Sequence, residues 1–328
     1  MIKISIAKAR TFAACVLFGF VGPVAAQQAY PSKPVRFIVP YPPGGSADPM
    51  ARMAAQKLTA RWSQQVIVDN RPGGNAIIGT EVVAKALADG YTIGLVFGPP
   101  FPSAPSLIAH LPYDTIKDFA PIATLAKFQT VLTLHPSVPA NTLQEFIALT
   151  KTRAGQLNYA SSGIGSALHL AGELYNIMVG TTIQHVAYKG SGPLIADLIG
   201  GQVQISYQVP ISVIAHIKSG KLKALAITGE ARSAVLPQVP TFAEAGLPGF
   251  DMTGWLGIVA PAGTPRAIVD RISGEIAAIL ALPDTLEYLA KQGMEPYIST
   301  PGQTSALINA DIARLAKIIK TANIRLEN

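Results

Sequence analysis

Two short segments gather the residue types that can hold an anion without a metal or a cationic side chain. The first is Tyr41-Pro42-Pro43-Gly44-Gly45-Ser46-Ala47-Asp48, and the second is Ala160-Ser161-Ser162-Gly163-Ile164-Gly165-Ser166-Ala167-Leu168-His169. Each runs from a strand-like stretch into an apolar pattern of helical spacing. Each therefore ends at a helix N-terminus, where unpaired N–H groups and the positive end of the dipole favour negative charge. Glycine lets a guest approach the backbone closely because no Cβ intervenes. In the first loop Tyr41 and Ser46 are the side-chain donors, with Pro42, Gly44 and Gly45 setting the backbone. Asp48 before Pro49 reads as an N-cap with proline at the first helical position; as a direct contact it would repel an anion. In the second loop Ser166 is the cap, and Ala160, Ser161, Ser162, Gly163 and Gly165 form the approach. His169 is either a neutral core histidine bonded to a carbonyl or a ligand contact.

Other chemistry is sparse. Gly163-x-Gly165 lacks the third glycine and the acidic partner of a dinucleotide fingerprint, and there is no phosphate-binding lysine motif. No serine lies in a Gly-x-Ser-x-Gly elbow, and the histidines at 110, 135, 169, 185 and 216 show no metal-ligand spacing. Neither a cofactor nor a metal is expected. A hydrolase using Ser162 or Ser166 stays open as an alternative, since catalytic partners can meet only in space. Tyr188-Lys189-Gly190-Ser191-Gly192 is one more strand-to-helix loop, in which Lys189 is either a nucleophile or a solvated lysine. Trp255 reads as packing rather than as a ligand platform.

The elements that position these loops alternate short β-branched runs with helical patterns, the sign of parallel strands joined by crossover helices. Strands are predicted at 35–39, 66–68, 91–97, 157–160, 183–188, 203–208 and 222–228. Helices are predicted after Asp48, over 77–86, from the Thr142/Glu145 capping box to about 150, from Ser166 to about 180, and after Thr264-Pro265 and Thr300-Pro301. In such sheets the loops that leave the carboxyl ends of strands line the ligand crevice. The two anion-ready loops lie about 120 residues apart and so belong to different halves of the chain.

With 328 residues the chain exceeds the roughly 250–300 at which one core splits, so two lobes are expected. Hydrophobic types make up 49% and charged types 14%, which excludes a disordered chain. Lys3, Lys8 and Arg10 precede an apolar run from Phe12 to Val21, and Val24-Ala25-Ala26 offers a cleavage site, so residues 1–26 read as a secretory signal peptide. Its removal lowers the formal charge from +7 to +4 and takes away Cys15, the only cysteine. The residual basic excess forms no Lys/Arg cluster and gives no support to nucleic-acid binding.

The combination Tyr30-Pro31-Ser32-Lys33-Pro34, Val39-Pro40-Tyr41-Pro42-Pro43-Gly44-Gly45-Ser46-Ala47-Asp48, Asn70-Arg71-Pro72-Gly73, Asp89-Gly90-Tyr91, Tyr159-Ala160-Ser161-Ser162-Gly163, His169-Leu170-Ala171-Gly172-Glu173 and Gly200-Gly201-Gln202-Val203 resembles the Bug family. These are periplasmic solute-binding proteins of tripartite tricarboxylate transporters. The resemblance covers the mature chain, including Leu236-Pro237-Gln238-Val239-Pro240-Thr241 and Ala260-Pro261-Ala262-Gly263-Thr264-Pro265. It implies a periplasmic, non-catalytic α/β protein of the two-lobed periplasmic binding protein fold, type II-like. Lobe one would be 27–127 and 253–328, lobe two 128–252, joined by two crossing segments. It implies a small carboxylate gripped through backbone N–H groups and waters by the loops matching Tyr41 to Asp48 and Ala160 to His169. Gly98, Lys189, Gly190 and Gln208 complete the implied ligand-binding set. The implied partners are that carboxylate (an organic, dicarboxylic or aromatic acid) and membrane permease subunits, with the protein a monomer. A receptor presenting its ligand to a sensor would share the same pocket. The chain departs from the family pattern at Gln204, at Gln208 and in Phe97-Gly98-Pro99-Pro100-Phe101, where small hydroxyl residues are usual. Neutral Gln208 with Phe97 and Phe101 points away from an amino acid and towards a more apolar or aromatic acid.

Overall fold

The computed structural model describes residues 30–43, 47–153 and 155–326. The signal-peptide reading and the candidates Gly44, Gly45 and Ser46 fall outside the described residues.

The chain opens with β1 (Val35–Val39), α1 (Ala47–Trp62), β2 (Val66–Asn70), α2 (Ile77–Ala84), β3 (Thr92–Gly98), α3 (Pro100–Leu107) and β4 (Phe119–Phe128). It then continues through β5 (Val131–Leu134), α4 (Leu143–Thr152), β6 (Asn158–Ser161), α5 (Ala167–Val179), β7 (Gln184–Ala187), α6 (Ser191–Ile199), β8 (Ile205–Gln208), α7 (Pro210–Lys218) and β9 (Lys223–Ile227). It closes with β10 (Gly254–Pro261), α8 (Arg266–Leu280), α9 (Pro283–Lys291), β11 (Glu295–Pro296) and α10 (Pro301–Thr321).

The strands form a six-stranded sheet, β11-β4-β10-β3-β1-β2, and a five-stranded sheet, β7-β6-β8-β5-β9. In the first, β1 runs parallel to β2 and β3, while β10 runs antiparallel to β3 and β4. In the second, β6 runs parallel to β7 and β8, while β5 runs antiparallel to β8 and β9. Each sheet thus has one antiparallel strand inserted among parallel ones, β10 in the first and β5 in the second, and the first sheet adds the short strand β11 antiparallel to β4 at its edge. Helices flank both sheets, which makes this the α/β, two-lobed periplasmic binding protein fold.

Register decides how the sheets face. Val131, first in β5, pairs with Gln208 and Ile227, the last residues of β8 and β9. At the start of β10, Gly254 pairs with Phe128 and Trp255 with Gly98, which end β4 and β3. Both connections between the sheets therefore leave from the edges where the parallel strands end. The loops that follow β1, β2 and β3 open towards those that follow β6, β7 and β8.

Apolar burial holds each half. Phe37, Ile93, Leu58 and Ile258 are fully buried in one cluster, and Tyr159, Ile205, Phe146 and Ile227 in another. A buried Leu, Ile or Phe stabilises by about 1.5–3 kcal/mol relative to exposure. α10 serves both halves. It starts on a capping box between Thr300 and Gln303, buries Ile308 against the first half, and ends with Leu315, Ile318 and Ile319 in the second core. At its middle, Arg314 donates to the carbonyl of Asp251 in the returning connection (2.8 Å) and to Asp311 Oδ1 (2.8 Å).

Two helix starts differ from the sequence reading. α1 begins at Ala47, so Asp48 lies within its first turn rather than capping it. Proline is tolerated there because N–H groups of the first turn have no intrahelical partner. α8 begins at Arg266, one residue after Pro265.

Candidate ligand-binding site

The first loop is anchored from the neighbouring strand. Asn70, last in β2, donates its side-chain N–H groups to the carbonyl of Tyr41 and to Asp48 Oδ1, both at 3.0 Å. Arg52, one helical turn after Asp48, donates to Asp48 Oδ2 at 2.9 Å and to Asn70 Oδ1 at 3.0 Å. Asp48 is buried and its charge is balanced within this cluster. Both of its carboxylate oxygens are engaged by Arg52 and Asn70, which ties the start of α1 to the end of β2. Tyr41 stacks edge-on against Phe97 (ring centroids 5.7 Å apart), and Phe97 leans on Phe128 at 5.2 Å. The Tyr41 hydroxyl finds no hydrogen-bond partner among the described residues. Pro42 is exposed.

The second loop is built on its own side chains. Ser166 caps α5 by accepting the N–H of His169 at 3.2 Å. The Ser161 hydroxyl is buried, accepts the N–H of Gly163 at 3.2 Å, donates to the carbonyl of Gly163 at 3.0 Å, and lies 2.6 Å from Nε2 of His185. Gly165 donates its N–H to Nδ1 of His169 at 3.0 Å, and Ser166 donates its own to the carbonyl of Gly163 at 3.2 Å. The N–H groups of Gly163, Gly165, Ser166 and His169 are thus spent inside the loop. Those of Ala167 and Leu168, at the first two positions of α5, remain as the helix-end donors.

Beneath the loop is a stack of rings. His169 lies 3.8 Å from His185, centroid to centroid, and His185 lies 5.0 Å from Tyr159. Tyr159 donates its hydroxyl to Glu173 Oε1 at 2.5 Å. Burial, and then the neighbouring His185, hold the His169 pKa down to about 3, and burial holds His185 down to about 4. Burial likewise pushes the Glu173 carboxyl above its ordinary range. His169 is accordingly a neutral buried histidine, but it accepts from an amide N–H instead of donating to a carbonyl.

The remaining candidates lie around the second loop and at the strand ends. Gln208 is buried at the end of β8, where it donates to Ser206 Oγ at 2.8 Å. Ser206 in turn donates to the carbonyl of Ala160 at 2.9 Å. Lys189 is exposed, and Gly190 leads into α6 and donates to the carbonyl of Ser162 at 3.3 Å. At Gly98 a Cβ would lie 2.3 Å from the Trp255 indole, so glycine there makes room for a packed tryptophan. Trp255 is itself buried and donates Nε1–H to Asp311 Oδ2 at 2.8 Å, as its packing role requires. Phe101 is a correction: it is buried against Phe119 and does not reach the space between the sheets.

The halves meet over the second loop. A Cβ on Gly165 would be 2.5 Å from Leu107 at the end of α3 and 3.9 Å from Asn75 before α2. Asn70, Leu107, Asn75, Tyr159 and His185 were not singled out from the sequence as site residues. Asn70 and Tyr159 lie in segments that carry the family resemblance, whereas Leu107, Asn75 and His185 are brought in only by the tertiary arrangement. A separate cavity of about 470 Å³ is lined in part by the connecting segments and by Phe128, Trp255, Tyr297 and Arg314, and it includes none of the loop residues. Among the described residues there is no cluster suited to a metal ion, and no helix is long and apolar enough to cross a membrane.

Residues 50–324 match the family model described as "Tripartite tricarboxylate transporter family receptor". The chain belongs to this receptor family. Protein BugT of Bordetella pertussis is 38% identical over 310 residues, covering 94% of this chain and 95% of that protein. Among solved structures, R. palustris Rpa4515 with adipate superposes with a TM-score of 0.79 at 33% identity, covering 90% of this chain and all of that one (100%). MatC from Rhodopseudomonas palustris with bound malate gives 0.76 at 28% identity, covering 88% of this chain and 100% of that one. The matched residues include the second glycine loop, and a further solved structure, the periplasmic binding protein BugD, superposes with a TM-score of 0.76 at 32% identity, covering 90% of this chain and 100% of that one.

Proposed function

We propose that the protein captures a small carboxylate between its two lobes in the periplasm and delivers it to the membrane permease subunits of a tripartite tricarboxylate-type transporter. The observation that supports this reading is that β1 and β6, the strands that precede the two loops, end at sheet edges from which both connections between the sheets leave. Lobe one would be 27–127 and 253–328 and lobe two 128–252, with α10 strapped across both. The carboxylate oxygens would be met by the backbone of Gly44, Gly45 and Ser46 on one side and by the Ala167 and Leu168 N–H groups on the other. Tyr41, Ser162, Gly190 and Gln208 would line the space between. Closure is a population shift: the guest binds the closed form more tightly because only there do both loops reach it. The relatives seen with adipate and malate support a carboxylate as the guest class.

The hydrolase alternative draws nothing from the geometry. Ser166 is occupied as a helix cap, Ser161, which meets His185, is buried and already bonded twice to Gly163, and Ser137, which meets His135, is exposed just after β5 and is in neither glycine loop. The test is a thermal-shift panel of carboxylates on the mature chain, with mass spectrometry of whatever co-purifies. A cognate acid at 100 times its Kd should stabilise by about 2.7 kcal/mol and be recovered unchanged. A panel without any shift would contradict the reading.

A further inference from the structure

Resting on the capture reading, we infer that the guest is a monocarboxylate with an apolar, preferably aromatic, body and no ammonium group. Three observations converge on this class.

The first is an aromatic wall at the edge of lobe one. Tyr41 and Phe97 lie at the ends of neighbouring parallel strands, in edge contact at 5.7 Å, and both are only partly buried. Phe97 is backed by Phe128, the last residue before the connection to the second sheet. The exposed part of this wall therefore opens beside the hinge and towards lobe two. Val209, which follows Gln208, packs into the shell of the same core as Tyr41 and Phe97. A guest that reaches past the loops meets rings, which favour apolar and aromatic surface.

The second is the lack of a buried cation for a second carboxylate among the described residues. Among the described residues every lysine and arginine is at least partly exposed; the buried charged residues are Asp48 and Asp311. The cations on the facing loops are surface groups: Arg71, after β2, is exposed and paired with Asp69 at 3.0 Å, and Lys189, after β7, is exposed to water. A second carboxylate would lose water beside the rings without a charged partner, which is costly.

The third is the lack of an acid for an ammonium. Asp48 is taken by Arg52 and Asn70, and Glu173 by the Tyr159 hydroxyl beneath the loop. At the distal edge the buried polar side chain is neutral Gln208, held by Ser206. It can accept one hydrogen bond from a ring hydroxyl but cannot balance a charge.

The experiment is titration calorimetry of the mature chain with phenylacetate, 4-hydroxybenzoate, adipate, malate and aspartate, repeated on Phe97→Ser and Phe97→Leu. The aromatic monocarboxylates should bind at least ten-fold more tightly than malate or aspartate. Phe97→Ser should weaken them about ten-fold without weakening malate, and Phe97→Leu, which keeps the wall apolar, should weaken them less. Malate, adipate or aspartate binding as tightly as the aromatic acids would overturn the inference while leaving carboxylate capture standing. Aromatic acids bound equally well by Phe97→Ser would also overturn it. Failure of all five acids to bind would overturn both.

Discussion

Gly165 donates its backbone N–H to Nδ1 of His169 at 3.0 Å, tying a loop that the other half of the molecule touches to the first turn of a buried helix. With Nδ1 accepting, the ring proton is on Nε2, which lies 3.9 Å from Glu173 Oε1, beyond hydrogen-bond range. In the proposed capture of a carboxylate, His169 would act through the backbone it holds.

Replacing His169 with Phe keeps a ring in the stack but removes the acceptor. The Gly165 N–H is then buried without a partner, a cost of about 1–3 kcal/mol. Chemical denaturation should show that loss, and calorimetry should show weaker carboxylate binding. Wild-type affinity in this variant would mean that the loop keeps its shape without the bond.

The stacked histidines also set an acid limit on stability. They fold neutral, with pKa values of about 3 and about 4, while the unfolded chain takes up protons near the ordinary 6.5. Between those values the unfolded state binds more protons, so stability rises with pH and falls as the medium is acidified. The slope approaches about 2.7 kcal/mol per pH unit when both unfolded imidazoles are charged. Glu173, raised by burial, opposes this near the carboxylate range because the folded form takes its proton first. Urea midpoints should drop from pH 7.5 to pH 5, and less so in a His169→Phe/His185→Phe double variant. A wild-type midpoint that does not move would contradict the buried neutral pair.

Gly98 is fixed by packing. Its Cβ in an alanine variant would fall 2.3 Å from the Trp255 indole, which is held by Asp311. Gly98→Ala should cost about 1–3 kcal/mol, as overpacked cores do, and should shift the tryptophan emission. An unaltered emission and melting temperature would show that the strands part easily there.

Gly165 probes closure. It has a φ of +77°, and a Cβ would press on Leu107 from across the interface at 2.5 Å. Gly165→Ala should weaken carboxylate binding several-fold, through strain of about 1 kcal/mol and hindered approach of the halves, while circular dichroism stays native. Full affinity would argue that closure does not bring these residues together.

Much of this arrangement is written locally. The caps at Ser166, Thr142 and Thr300 sit where hydroxyl spacing places them, and both loops follow short strands as their patterns require. What is not legible comes from distant pairing. β4 contains Pro121 among alanines and is a strand because β10 lies along it through two register shifts. α3 carries Pro100, Pro102 and Pro105 and reads as a loop, yet it folds as a helix beside β3 and α10. His169 and His185 share no spacing signal. They stack because β6 and β7 pair with Tyr159 opposite His185.

The central claim, that one carboxylate is held jointly by both loops, is tested most directly by following backbone amide resonances of the mature chain during titration with a bound acid. Gly44, Gly45, Ala167 and Leu168 should shift together and saturate at one dissociation constant. Shifts confined to one lobe, or centred on the cavity beside Trp255 and Arg314, would contradict it.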